Sequence, residues 1–143
     1  MANEKLFHVG IKTLIENQAG EILVLKVEGN RYNKNIIHWD IPGGRIEQGG
    51  DIAGTLQREV EEEIGVKIIL KTEFLTSVIS THEFHIESGH HVGLVLMVYK
   101  VKIPENSQIK ISAEHTAYEW VDKNEAAKRL AQKYPSEFTE LLK

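Results

Sequence analysis

The chain contains no cysteine. It therefore carries no disulfide framework and no thiolate metal centre, and the absence fits a reducing compartment. Proline is scarce: Pro42, Pro104 and Pro135 are the only three in 143 residues, and no Pro-rich linker divides the chain. This length suits one folded unit, so residues 1–143 are expected to form a single domain. Long apolar runs are missing too. The longest, Val92 to Tyr99, falls far short of the roughly 18 residues of a spanning helix. The N-terminus MANEKLFHVG shows no apolar stretch of the secretory kind, and the expected location is the cytoplasm. There is no surplus of positive charge either. Seventeen Lys and Arg against 21 Asp and Glu leave a net charge of −4, so neither nucleic acid nor a membrane is an expected partner. An anionic substrate would need a local cation.

What is present reads as strands, one long helix, more strands and then helices. Phe7 to Ile15 and Glu21 to Val27 are β-rich and separated by the turn formers Asn17, Gln18, Ala19 and Gly20, which predicts a hairpin. Ile36 to Ile41 predicts a short strand stopped by Pro42, with Gly43 and Gly44 forming a permissive loop. Ile52 to Glu63 predicts a helix, with Asp51 as N-cap and Gly65 as left-handed C-cap. Strands are expected over Val66 to Leu70, Phe74 to Thr81, Val92 to Ile103 and Tyr118 to Val121. Two helices close the chain, from about Asn124 to Lys133 and after Pro135. The order suggests an α/β (α+β) architecture, a mixed sheet with helices on its faces.

The long helix is where chemistry concentrates. At 100° per residue, with Glu59 at zero, Ile52, Leu56, Val60 and Ile64 fall at about 20°, 60°, 100° and 140° and define a buried stripe. Glu59, Glu62 and Glu63 fall at about 0°, 300° and 40°, converging at the edge of that stripe, whereas Glu61 at about 200° points to solvent. A solvated acidic face is the plain reading of a Glu-rich helix. Against it, Glu62 and Glu63 occupy the last turn, where the negative end of the helix dipole disfavours anions by roughly 0.3–1 kcal/mol each, and like charges repel. Arg58 and a metal are the available compensations. Clustered carboxylates suit Mg²⁺ or Mn²⁺, whereas zinc brings His or Cys. The Pro42-Gly43-Gly44 loop lets backbone groups approach a cation or phosphate closely.

The stretch Gly44 to Val66, GRIEQGGDIAGTLQREVEEEIGV, resembles the signature box of the Nudix hydrolases: Gly, five residues, Glu, seven residues, Arg-Glu, aliphatic, any, Glu-Glu, any, Gly, aliphatic. Arg58, Glu59, Val60, Glu62, Glu63, Gly65 and Val66 all match, Gly44 lies at the right distance, and WDIPGG before the box is also family-like. The departure is Gly50, which stands where the family has its first box glutamate, with Glu47 and Asp51 flanking it. The resemblance implies a Nudix-like α/β/α sandwich and hydrolysis of a pyrophosphate bond in a nucleoside diphosphate linked to another moiety. It implies that Glu59, Glu62 and Glu63 hold Mg²⁺ or Mn²⁺, with the Gly43 carbonyl as a further ligand and Glu114 as an acidic residue from a later loop. Arg58 would orient a glutamate, and Glu59 or Glu62 would serve as base. Gly44 and Arg45 would face the substrate, a nucleotide-derived small molecule. A homodimer is the assembly to test. The alternative is a Nudix-fold nucleotide-binding or regulatory module, which Gly50 favours and the intact REVEEEIG segment opposes.

Other residues carry two readings each. His82, His85, His90 and His91 flank the Ser88-Gly89 turn of an expected hairpin. Strand alternation puts His82 and His85 on opposite faces, which speaks against zinc and for a solvated tip or a substrate contact. Trp39 is either core or a stacking platform for a base. Arg31, Tyr32 and Lys34 lie in a polar loop that could reach phosphate or base. Trp120 reads as core.

Overall fold

The computed structural model describes residues 3–29, 37–85, 89 and 91–143. Its elements run β1 (Phe7–Ile15), β2 (Ile22–Glu28), β3 (Ile37–Asp40), β4 (Gly43–Arg45), α1 (Ile52–Ile64), β5 (Lys71–Ile79), β6 (Phe84–His85), β7 (His91–Lys102), β8 (Ala117–Val121), α2 (Lys123–Leu130) and α3 (Ser136–Thr139), with a closing 3₁₀ turn over Glu140–Leu142. One mixed sheet has the order β4-β1-β7-β5, with β6 also paired to β7. Here β1 and β7 run parallel from Phe7 opposite Gly93 to Ile15 opposite Val101. A second, antiparallel sheet has the order β3-β2-β8.

Both sheets feed two cores, because alternate residues of a strand face opposite sides. Leu14, Ile22, Val24, Leu96 and Val98 pack with Ala126, Leu130, Tyr134 and Phe138 from the C-terminal segment. Ile11, Ile15, Leu23, Leu25 and Val101 pack with Leu56, Val60 and Ile64 of α1. The sandwich of helix, sheet and helix is the expected one, and the continuous burial of Ile22 to Leu25 follows from helices covering both faces. Leu56, Val60 and Ile64 are each at least 96% buried, which stabilises α1 by roughly 1.5–3 kcal/mol per side chain.

The caps of α1 are those its residues predict. The Asp51 carboxylate accepts the Gly54 N–H at 2.6 Å, and Gly65 adopts φ 72°, donating its N–H to the Glu61 carbonyl.

Two expectations are corrected. The Asn17–Gly20 turn forms, with the Gly20 N–H on the Asn17 carbonyl, but β1 and β2 are not a hairpin. They share a single bridge, Glu16 to Ile22, and then part into different sheets. Turn residues encode a reversal of direction, whereas the nine-residue parallel register with β7 decides where β1 lies. Val66 to Leu70 is β-rich but forms no strand. Of this stretch Leu70 alone joins the ladder, donating its N–H to the Lys102 carbonyl, while the Lys67 carbonyl accepts from the Gln57 side chain. Elsewhere the bounds move by a few residues: β5 starts at Lys71, and α2 ends at Leu130 with turns over 131–134. Ile36 lies outside the described residues. Among the described residues no helix is long and apolar enough to cross a membrane.

Candidate active site

Local backbone chemistry brings the acidic residues together. The last carbonyls of α1 have no partner within the helix and must find one elsewhere. The loop after β7 supplies it: Lys110 donates its N–H to the Ile64 carbonyl at 2.9 Å, and Ser112 donates to the Glu63 carbonyl at 3.2 Å. This pins 110–112 across the end of α1 and delivers Glu114 beside it. On the other side β4 pairs with β1, Lys12 opposite Gly43, and lays the glycine pair along the helix.

The result is a cleft of about 710 Å³ lined by Gly43, Gly44, Arg45, Glu47, Glu59, Glu62, Glu63 and Glu114, together with His8, Ile46, Gln48 and Ser112. That volume accommodates a nucleotide-sized ligand. The sequence-predicted set Glu59, Glu62, Glu63, Gly43, Gly44, Arg45 and Glu114 thus lines one cleft, and Glu61 is exposed outside it. His8 and Ser112 are additions, placed by the β1 start and by the helix-end hydrogen bond, neither of which leaves a local sequence signal.

The three helix carboxylates differ in setting. Glu62 is exposed. Glu59 is half-buried, accepts from the Arg58 guanidinium at 3.1 Å, and lies so close over Gly44 that a Cβ there would overlap its carboxylate. Arg58 also reaches Glu47 at 3.3 Å. Glu63 is 7% exposed and accepts the Gly43 N–H at 3.2 Å. Burial pushes its pKa up to about 7, with the Glu59 and Asp40 charges adding to the rise and Lys12 and the Gly43 N–H opposing it.

Beneath Glu63 lies a network that the sequence did not announce. The Asp40 carboxylate accepts from Lys12 at 3.1 Å, Lys133 at 2.6 Å, the Tyr134 hydroxyl at 2.6 Å and the Ile41 N–H at 2.8 Å. Burial alone would raise the Asp40 pKa, yet the two ammonium groups and the hydrogen bonds hold it well below the usual carboxylate range. His38 and His115 flank this cluster, their pKa values lowered by burial, and the buried Nδ1 of His115 has no partner among the described residues. Tertiary contacts separated by 28 and 93 residues assemble the network, so no local motif marks it.

The remaining candidates lie elsewhere. Trp39, on β3, packs against the core with the Arg129 guanidinium 4.4 Å over its ring, and it does not line the cleft. Trp120 packs against the α1 core as expected. His91 is paired with Glu83 at 3.7 Å, and β6 and β7 pair there as a hairpin. Arg31, Tyr32, Lys34, Ser88 and His90, and the side chain of His85, lie outside the described residues. At Gly50 the backbone is not left-handed, and a Cβ would meet the Glu47 carbonyl at 3.1 Å and Thr55 at 3.6 Å, so a side chain there requires that carbonyl to give by a few tenths of an ångström.

Among the described residues no three His, Asp or Glu side chains are yet gathered tightly enough to hold an ion. The donor set nevertheless fits a hard divalent cation: exposed Glu62 and Glu114 can swing inward, and buried Glu63 is a carboxylate whose ionised form lacks sufficient positive charge nearby.

The chain is similar to known proteins in both sequence and fold. A family model described as the NUDIX domain matches residues 6–142. Over 93 residues the chain is 32% identical to an octanoyltransferase of Myxococcus xanthus, covering 64% of this chain and 25% of that protein. Over 87 residues it is 29% identical to the nucleoside triphosphatase NudI of Escherichia coli, covering 58% of this chain and 60% of that one. The chain therefore spans about a quarter of the first relative and somewhat over half of the second. Among solved structures, the MutT protein of Methanosarcina mazei Go1 superimposes with a TM-score of 0.70 at 26% identity, over 97% of this chain and 92% of that one.

Proposed function

This chain belongs to the NUDIX domain family, and from that premise we propose that it is a metal-dependent hydrolase cleaving a pyrophosphate bond in a nucleoside diphosphate linked to another moiety. The observation that carries the reading is the one cleft lined jointly by Glu59, Glu62, Glu63 and Glu114 and by Gly43, Gly44 and Arg45. The name of one relative, a nucleoside triphosphatase, supports the same substrate class. We read the chain as one domain acting in the cytoplasm.

Glu59, Glu62, Glu63, Glu114 and the Gly43 carbonyl would hold Mg²⁺ or Mn²⁺. When bound, the ion neutralises phosphate charge, polarises a phosphoryl oxygen and lowers the pKa of the attacking water. The chain's own groups do the rest. Arg58 fixes one oxygen of Glu59, which orients that carboxylate over Gly44 and leaves it available to accept a proton. Glu62, exposed and lining the same cleft, is the second candidate base. The absence of a Cβ at Gly44 lets Glu59 and a phosphate approach the backbone closely. Arg45, which lines the cleft, would supply positive charge for the substrate in a chain of net charge −4.

The test is a nucleotide panel with Mg²⁺ or Mn²⁺, reading phosphate and pyrophosphate release with product masses. Cleavage at an anhydride bond that stops in excess chelator is the expected result. Binding of a nucleotide without turnover would move the reading to a nucleotide-binding module, for which Gly50 at the box's first glutamate position is the motivating feature.

A further inference from the structure

β5 is the terminal strand of its sheet, with β7 as its one neighbour among the described residues. Open strand edges invite pairing, and chains usually guard them with charge or proline. This edge is mixed: Leu70 and Phe74, 57% and 52% exposed, share one face, and the exposed Lys71 and Glu73 share the other. Leu70 already extends the ladder by donating to the Lys102 carbonyl at 2.8 Å, and a β-bulge interrupts the register between Phe74 and Thr76. The regular stretch is therefore Leu70 to Phe74, and its centre is Thr72.

Charge distinguishes one occupant. Within the chain Lys71 stands opposite Lys102, a like-charge pair, while Glu73 stands opposite Lys100. If a second copy lies antiparallel with its Thr72 against this Thr72, Lys71 of each copy faces Glu73 of the other, and Leu70 faces Phe74. The charged row across the junction then alternates as Lys71, Glu73, Lys100, and the Lys71 to Lys102 repulsion is relieved twice. The apolar side chains meet on the opposite face, because successive residues of a strand point to opposite sides.

We infer that the chain forms a two-fold dimer by antiparallel pairing of β5 with β5, centred on Thr72. The surface is self-complementary, as an isologous contact requires. It does not rest on the proposed reaction, since β4 and the carboxylate cleft lie at the other end of the sheet order.

The experiment is sedimentation across a concentration series for the wild type, Lys71→Glu, Glu73→Lys and the double exchange, with circular dichroism to confirm folding. The wild type should reach twice the 16.2 kDa chain mass, each single reversal should weaken the dimer about tenfold or more, and the double exchange should restore it. Because the chain has no cysteine, Thr72→Cys gives one thiol per chain and should cross-link to itself on oxidation, whereas Thr76→Cys should not. A monomeric wild type overturns the inference and points the edge toward a foreign strand. So do a dimer indifferent to Glu73→Lys, a double exchange that fails to restore it, or equal cross-linking at both positions.

Discussion

The buried carboxylate of Glu63 accepts the backbone N–H of Gly43 at 3.2 Å, joining the last turn of α1 to the strand that enters the box. Its folded pKa of about 7 stands above the ordinary value of 4.5. Between those values the folded chain keeps a proton that the unfolded chain has released, so this group makes stability fall as pH rises from about 4.5 to 7. In metal-free buffer at pH 8, Glu63→Gln should be more stable than the wild type by up to about 3 kcal/mol, and its stability should vary less across that window. Thermal unfolding against pH checks this. Parallel curves for the two proteins would contradict it.

Asp40 acts in the opposite sense and lower on the pH scale. Its depressed pKa means that its contribution is present above the ordinary value of 3.8 and is lost as pH falls below it. Asp40→Asn leaves Lys12 and Lys133 facing no buried anion at that point and should cost about 3–5 kcal/mol. Tyr134→Phe removes one hydrogen bond to the charge and should cost about 1.5–3 kcal/mol. Urea unfolding at pH 7 measures both, and losses under about 1 kcal/mol would show the network to be dispensable.

Gly43 and Gly44 should fail differently. A Cβ on Gly43, at φ 153°, would strike the Ile11 carbonyl and the Lys12 backbone, which cannot move cheaply, so Gly43→Ala should destabilise the fold. On Gly44 the obstacle is the movable end of Glu59, so Gly44→Ala should fold with little loss and yet lower activity by displacing that carboxylate. Unfolding midpoints and rates measured together separate the two cases. A fully active Gly44→Ala would remove Glu59 from the account.

Gly50→Glu places the glutamate that the box resemblance implies at a position whose backbone is not left-handed. It should fold, keep the same reaction products, and raise rate or stability modestly. Product masses and the unfolding midpoint are the readouts. Loss of folding would mean that the 3.1 Å approach to the Glu47 carbonyl is not relieved.

The legible parts of the molecule were those governed by residues a few positions apart. Asp51, Gly65 and the spacing of Leu56, Val60 and Ile64 defined α1 to within one residue. The same arithmetic put Glu59, Glu62 and Glu63 on the cleft edge and Glu61 away from it. Distant pairing was not legible. The turn at Asn17 to Gly20 could not say that β1 would leave β2 for β7, nor could β-propensity say that Val66 to Leu70 would form no strand. Asp40 read as part of a strand, and only the folded chain brings Lys12, Lys133 and Tyr134 to it. The separation of Trp39 from the cleft likewise follows from β3 joining the second sheet.

The most direct measurement compares Glu61→Gln with Glu62→Gln, neighbours on one helix that differ in the face they occupy. Each variant is melted with and without Mg²⁺ or Mn²⁺, and its turnover is measured on the substrate the panel identifies. Glu61→Gln should match the wild type in both. Glu62→Gln should be neutral or slightly more stable without metal, because a charge leaves the negative end of the helix dipole. It should lose part of the metal-induced rise in melting temperature, and its turnover should fall by roughly 10²-fold or more. Equal behaviour of the two variants would contradict the carboxylate cleft as the active site.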